Sequence, residues 1–356
     1  MDQEIIFEQK DGLGHVTLNR PNALNALTQS MTVSLYQKLQ IWASDPSIYA
    51  VIIRGAARDD GRVPFCSGGD IRFLFEQKSD PEKKFAITFY EQEYRLNVLI
   101  YEFPKPYIAL IDGVVMGGGV GVSFHGSHRI MSERAMFAMP ETAIGLFPDV
   151  GSTYFLPRCR GHMGLYLGLT GARIGAADAV YLGLATHYIP KVRMEECLQT
   201  FGSVGVLMRN TKSIDKILRQ YSESAGVSEL AQHQAVIDRC FSAATVEEII
   251  SNLTTENSEW AKATQSKLLE KSPTSLKITF RQLTEFNKLD FRSAMKIEYR
   301  MAIQCNISDE FYEGIRAQII DKDFLPKWSP NRLEDVGQSL VDLYFEAPKS
   351  GDMDFE

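Results

Sequence analysis

A short apolar run that gives way to a glycine-rich turn and then to a helical stripe recurs through the first half of this chain, and that recurrence narrows the fold most. Tyr107 to Ile111 is one such run, followed at once by Asp112-Gly113 and then by Met116-Gly117-Gly118-Gly119-Val120-Gly121. Ala50 to Arg54 is another, ending at Gly55, with Phe65-Cys66-Ser67-Gly68-Gly69-Asp70-Ile71-Arg72 downstream. Short continuous apolar runs bounded by turn residues read as buried strands. Ile5 to Phe7 and Val16 to Leu18 read as a strand pair joined through Asp11-Gly12. A helix is expected from near Thr28, with Met31, Leu35, Leu39 and Trp42 on one stripe. A second long helix is expected to open at Pro81 and to end before Pro104. Strand, turn and helix in alternation imply a layered α/β core.

The second half changes character. From about Met194 to Tyr344 the pattern is helical, with polar faces and few strand-like runs. Ser272-Pro273-Thr274 marks a helix start, because proline suits the first turn and Ser272 can cap it. Leu276, Ile278, Phe280, Leu283 and Phe286 fit the buried side of that helix, and two more are expected at Asp290 to Gln304 and Asp309 to Ile320. No low-complexity linker separates the halves. A core over 1–195 and a helical region over 196–356 packed on it are therefore expected, with the acidic end from Ser350 frayed.

Bulk properties exclude several classes. A net charge of −7 argues against a nucleic-acid-binding surface. No run approaches the length of a membrane span, and the acidic start, Met-Asp-Gln-Glu-Ile-Ile-Phe-Glu, reads as neither a signal peptide nor a transit peptide. Cys66, Cys159, Cys197, Cys240 and Cys305 form no Cys-x-x-Cys pair and are odd in number. Free thiols in a reducing cytoplasm are expected. Of the six histidines only His125 and His128 are close, and no His-Glu-x-x-His exists, so no metal site is expected.

The stretch from Phe137 to Arg158 is apolar, rich in glycine and proline, and carries only two carboxylates, Glu141 and Asp149. Burial raises a carboxyl pKa toward the range where acid–base work is efficient. A helix cap and a turn residue explain the pair equally well from this window alone. The two glycine clusters favour chemistry: each sits where a strand gives way to a helix, and a helix N-terminus offers unpaired N–H donors to an oxyanion. Neither cluster matches Gly-x-Gly-x-x-Gly, and no Gly-Lys-Ser/Thr is present. Gly121-Val122-Ser123-Phe124-His125 meets two of the three fixed positions of a nucleophile elbow. His125 stands where that elbow needs glycine, and Ser123 falls inside an expected helix, which disfavours a serine hydrolase.

Asn19-Arg20-Pro21-Asn22-Ala23-Leu24-Asn25-Ala26-Leu27, Ser67-Gly68-Gly69-Asp70-Ile71, Gly117-Gly118-Gly119 and Pro140-Glu141 together resemble the crotonase (enoyl-CoA hydratase/isomerase) superfamily over roughly residues 4 to 190. The resemblance implies an α/β crotonase-like spiral of repeated strand–strand–helix units with a helical C-terminal region. It implies acyl-CoA substrates and an oxyanion hole formed by the N–H groups of Gly69 and Gly118. In hydratases of this family a second catalytic Glu follows the central glycine of the Gly-Gly-Gly run by three residues; here Gly121 stands there.

A finer likeness is to the members that hydrolyse short 3-hydroxyacyl-CoA thioesters. It runs through Met116 to Gly121, Phe137 to Gly151, Leu169-Thr170-Gly171, Ser272 to Thr279, Phe311 to Ala317 and Ile320 to Asp323. It implies hydrolysis of 3-hydroxyisobutyryl-CoA to 3-hydroxyisobutyrate and CoA, a step of valine breakdown. The alternatives are an enoyl-CoA hydratase or isomerase acting on another acyl-CoA, and a scaffold without activity. In the implied site Glu141 is base or nucleophile. Asp149 binds the substrate hydroxyl or assists the leaving thiolate. Glu93 contacts substrate, unless it is a solvated helix-face charge. Asn25, Ala26, Ser67, Asp70 and Ile71 line the CoA, and Lys322 and Lys327 are candidates for its phosphates. No cofactor is implied beyond CoA, which is part of the substrate. The partner implied is a small acyl-CoA, with no nucleic acid and no membrane; a homo-oligomer is one option, and monomer, dimer and trimer all stay open. One departure is Ser152-Thr153, where the family carries glycines.

Overall fold

In the computed structural model, which describes residues 3–80, 84–349 and 351–355, the expected strand pair at the start of the chain is formed. The strands in chain order are β1 (Ile5–Lys10), β2 (Leu13–Leu18), β3 (Ala50–Gly55), β4 (Tyr107–Ile111), β5 (Val114–Met116), β6 (His128–Met131), β7 (Met136–Ala138), β8 (Ile174–Gly175) and β9 (His187–Tyr188). β1 and β2 are antiparallel, and Asp11 and Gly12 make their turn with φ of 55° and 77°. A six-stranded sheet has the order β1-β2-β3-β4-β6-β9 and is parallel from β2 onward; Val16 pairs with Ile53 and Ile53 with Ala109. β5, β7 and β8 form a smaller sheet. The expectation of an α/β layout with a helical second half holds.

The chain divides into two compact units built from interleaved segments: Met1–Gly69, Arg95–Phe137 and Arg173–Ala231 in the first, Asp70–Tyr94, Ala138–Ala172 and Gln232–Glu356 in the second. In the first unit, Leu13, Ala50, Ile52, Ile108, Leu110 and Ile130 cover one face of the large sheet. Against them lie Met194, Cys197 and Phe201 of the helix Lys191–Val204, and Ile214, Ile217, Leu218 and Tyr221 of the helix Thr211–Tyr221. The second set follows i, i+3, i+4, i+7, the spacing that puts four side chains on one helical stripe. Val16, Val51, Ile53, Ala109 and Ile111, on the other face, are equally buried. Burial on both faces explains why these runs are continuous rather than alternating. The helix Gln29–Ser44 starts where Thr28 accepts a hydrogen bond from the N–H of Met31 at 3.3 Å, and its Trp42 meets Phe7 edge-to-face at 6.0 Å.

The second unit is mostly helical. Ser272 caps the helix Pro273–Glu285 by accepting from the N–H of Ser275 at 3.0 Å, and Asp290 caps Phe291–Ile307 through the N–H of Ser293. The helix expected over Asp309 to Ile320 is α-helical only over Asp309–Ile315, and Arg316–Ile320 widens to a π-helical turn. The long helix expected from Pro81 is described over Lys84–Tyr101; Pro81 itself lies outside the described residues, as does Ser350. The acidic end is not frayed. Met353 and Phe355 are buried, and Asp352 pairs with Arg300 at 2.5 Å. Apolar burial there outweighs the solvating tendency of the acidic residues between. Among the described residues no helix is long and apolar enough to cross a membrane, and no cluster of His, Cys, Asp and Glu could hold a metal ion.

Candidate active site

In the first unit the two glycine clusters lie side by side. The N–H groups of Phe65 and Cys66 both donate to the carbonyl of Val114, at 3.0 and 2.9 Å, and the N–H of Met116 donates to Cys66 at 3.0 Å. Gly68 and Gly117 adopt φ of 115° and 47°, conformations that side chains resist. A Cβ placed on Gly68 would stand 3.4 Å from the carbonyl oxygen of Met116 and 3.8 Å from the amide nitrogen of Gly118. Gly118 opens the short helix Gly118–Gly121, so its N–H belongs to an unpaired first turn. Neither that N–H nor the one of Gly69 has an acceptor among the described residues.

The loop from Arg20 to Leu27 is laced to the same strip. Ser67 N–H donates to Leu24 at 3.0 Å and Leu27 N–H to Gly68 at 2.9 Å. Asn25 is fully buried with φ of 55°. Its amide nitrogen donates to the carbonyls of Pro64 (2.7 Å) and Ala56 (3.1 Å), and its oxygen accepts from the N–H of Arg20 (2.9 Å). That side chain shapes the loop, and both of its N–H donors are spent on backbone carbonyls. Ala26 is held next to it, its carbonyl accepting from Arg20 at 2.7 Å. Asn25, Ala26, Ser67, Gly69 and Gly118 are thus gathered in one unit.

The second unit gathers the acids, with Asp70 and Ile71 half-buried at the start of its first segment. Glu141 opens the 3-10 turn Glu141–Ile144, Asp149 follows Pro148, and Glu93 lies on the helix Lys84–Tyr101. They are 5%, 5% and 3% exposed, which rules out a solvated helix face for Glu93. Glu141 Oε2 is buried with no hydrogen-bond partner among the described residues. Burial, and then the charge of Asp149, push the carboxyls of Glu141 and Glu93 well above the usual range. Burial raises Asp149 to about 7, against the pull of the Tyr94 hydroxyl, which donates to its Oδ2 at 2.9 Å. Buried acids that feel one another's charge resist ionising together, which sets their proton affinities apart.

Two residues of this site escaped the sequence reading. Glu298, fully buried, accepts from the N–H groups of Gly151 (2.6 Å) and Thr153 (2.8 Å). Burial raises it to about 8, while those two donors pull it down. Gln282 donates to the carbonyl of Pro148 (2.7 Å) and to the hydroxyl of Thr153 (2.8 Å). A signal existed: Glu298 occupies a place on the apolar stripe Phe291, Met295, Ala302 and Cys305, where a carboxylate is costly unless paired.

The turn presenting Glu141 is braced by backbone contact. A Cβ on Gly314 would stand 2.3 Å from the carbonyl carbon of Ile144, and one on Gly145 (φ 71°) 2.5 Å from the carbonyl oxygen of Glu310. Helix propensity alone favours Gly314→Ala by about 1 kcal/mol. Contact with backbone that cannot swing aside should reverse the sign, a net loss of roughly 1–3 kcal/mol. Thermal denaturation of the variant is the measurement, and an unchanged or raised Tm would show that the turn yields.

Comparison with known proteins bears on what this site belongs to. The family model described as enoyl-CoA hydratase/isomerase matches residues 13–345. The human protein named 3-hydroxyisobutyryl-CoA hydrolase, mitochondrial, is 42% identical over 362 residues, 99% of this chain and 91% of its own length. This chain belongs to the enoyl-CoA hydratase/isomerase family. The protein of the same name from Danio rerio is 41% identical over 98% of this chain and 91% of its own length. A solved structure titled as a carnitinyl-CoA dehydratase from Mycobacterium thermoresistibile superposes with a TM-score of 0.92 at 35% identity, covering 100% of this chain and 99% of its own. One titled as an enoyl-CoA hydratase from Rhodobacter sphaeroides gives 0.90 at 34%, covering 99% and 100%. The crotonase-like α/β fold with its helical C-terminal region is therefore shared over the whole length.

Within the enoyl-CoA hydratase/isomerase family, this member has no side chain at Gly121, which is buried at the end of the Gly118–Gly121 helix. Ser123 lies beyond that four-residue helix rather than inside a longer one. It is fully buried and donates to the carbonyl of Gly119 at 2.7 Å, so it is no nucleophile.

Proposed function

We propose that this member of the family hydrolyses a short 3-hydroxyacyl-CoA thioester, with 3-hydroxyisobutyryl-CoA as its substrate. The observation that carries the reading is Glu141: buried, with an oxygen that has no partner among the described residues, raised by burial and by the charge of Asp149, in a chain with Gly121 where hydratases carry their second carboxylate. Hydration needs two carboxylates to hold and ionise water, and one of the two is missing. The names of relatives about two-fifths identical over nearly the whole chain support the same reading.

Thioester hydrolysis passes through a tetrahedral oxyanion. The free N–H groups of Gly69 and Gly118 are its donors, each worth roughly 10²–10³ in rate. Glu141 takes a proton from water as the water oxygen bonds to the carbonyl carbon, or it bonds to that carbon itself and forms an anhydride that water opens. In both routes the C–S bond breaks and CoA leaves as thiolate, to be protonated from the acid cluster. Asp149 takes the substrate hydroxyl, with Glu93 beside it. Asp70, Ile71 and the backbone at Ala26 and Ser67 follow the CoA. The CoA is part of the substrate, and no separate cofactor is needed.

The five cysteines are unbridged and buried, which suits a reducing compartment. The relatives named above are called mitochondrial, which does not support the cytoplasmic setting expected from the sequence.

The test is release of CoA thiol from a panel of 3-hydroxyisobutyryl-, isobutyryl- and crotonyl-CoA. A site that hydrogen-bonds a hydroxyl rejects analogues lacking it, so release from the hydroxyacyl ester should exceed that from isobutyryl-CoA by about 10²-fold or more. Loss of crotonyl-CoA absorbance without thiol release would replace this reading with the hydratase.

A further inference from the structure

We propose that Glu298 is a positioning residue for the reaction: by gripping the backbone N–H groups of Gly151 and Thr153 it aims Asp149 at the substrate hydroxyl. The proposal rests on the reading of function above.

The loop it grips is strained. Val150 adopts φ of 50° and Gly151 φ of 95°. A β-branched residue in the left-handed region is costly and persists only where its surroundings impose it. Two side chains from separate helices impose it here. Glu298, on Phe291–Ile307, takes Gly151 N–H on Oε2 and Thr153 N–H on Oε1. Gln282, on Pro273–Glu285, takes Pro148 on one side of Asp149 and the Thr153 hydroxyl on the other. That hydroxyl is an anchor that a residue without a polar side chain at 153 would not offer. The Tyr94 hydroxyl holds the Asp149 carboxylate itself. The residue is thus fixed at its side chain and at the backbone on both sides.

The choice of a carboxylate is informative. Glu298 is fully buried, and the groups that hydrogen-bond to it are the N–H groups of Gly151 and Thr153 and the Thr153 hydroxyl, none of them a cation. A well-packed apolar residue is often as good for stability or better at such a position. A carboxylate offers what an apolar residue cannot: two acceptor oxygens in a fixed fork that meet two donors in one turn.

Glu298→Gln separates positioning from general support of the fold. The amide keeps one acceptor and turns an NH₂ group toward the other donor, so one of the two N–H groups loses its partner. The readout is the ratio of kcat/KM for 3-hydroxyisobutyryl-CoA to that for isobutyryl-CoA, which has no hydroxyl to place. The ratio should fall about tenfold to a hundredfold, because small misplacements of a positioned group carry penalties of that size. The isobutyryl-CoA value should fall by a smaller factor, because that ester has no hydroxyl for Asp149 to take. A role in folding alone would lower both values by one common factor, and an unchanged ratio would overturn the proposal. Glu298→Asp, which keeps the carboxyl group but shortens the reach to the two N–H groups, provides the same ratio should Glu298→Gln fail to fold, and an unchanged ratio there overturns it equally. Wild-type protein that releases no thiol from the hydroxyacyl ester would defeat the reading of function, and this role with it, before any variant is made.

Discussion

Glu141→Gln should lower thiol release from 3-hydroxyisobutyryl-CoA by about 10³-fold or more while the protein stays folded. The substitution is nearly isosteric, and the unpartnered Oε2 means that the amide forfeits no hydrogen bond on that side. Burial already holds the Glu141 carboxyl well above the usual range, favouring its neutral form, so a neutral amide of the same shape suits the interior. Circular dichroism and a thermal melt establish folding, and single-turnover thiol release establishes the rate. Rapid hydrolysis by the variant would end the assignment. Wild-type turnover in ¹⁸O-water then separates the two routes. Attack by Glu141 allows the label to enter its own carboxyl group, read by mass spectrometry of the peptide, whereas general-base catalysis sends it only to the product acid.

Asp149→Asn should have the second largest effect, and on two quantities. The first is selection for the hydroxyl, which should fall by about 10²-fold as measured by the same ratio of esters. The second is the dependence of stability on pH. Folded Asp149 keeps its proton to about pH 7, against an ordinary value of 3.8. Between those values the folded chain binds more protons than the unfolded chain, so stability falls as pH rises through the window. Asparagine has nothing to titrate and lacks that fall. The variant should therefore match wild type near pH 4 and melt higher at pH 8, by an amount on the order of 3 kcal/mol. Melting curves whose difference does not change with pH would contradict this environment for Asp149.

Much of this was legible in the amino-acid order because it is local. The helix starts at Thr28, Ser272 and Asp290 are caps, each decided within three residues of the capping side chain. The strand runs at Ala50 and Tyr107 declare burial on both faces by having no polar alternation. Glu141 and Asp149 stood out as the only acids in an apolar stretch. Glu298 did not, because its partner Gly151 lies 147 residues away and no short-range pattern ties them. Asn25 looked like part of a ligand-lining loop, and only tertiary structure shows its amide closing on Ala56 and Pro64. The acidic end was misjudged for a related reason: charge was visible, whereas the apolar surroundings that bury Met353 and Phe355 were not.

The four acids Glu93, Glu141, Asp149 and Glu298, none more than 5% exposed, set a trap for anyone engineering this protein. Glu93 and Glu141 occupy interior positions where a neutral or hydrocarbon side chain would be easier to bury, and neutral amides would serve at Asp149 and Glu298, which accept buried hydrogen bonds. A library selected for heat resistance alone would enrich replacements at these positions first, and its hardiest members would be inert. Selection on turnover is what keeps acids in such an interior, so a screen for robust variants must score activity at every round.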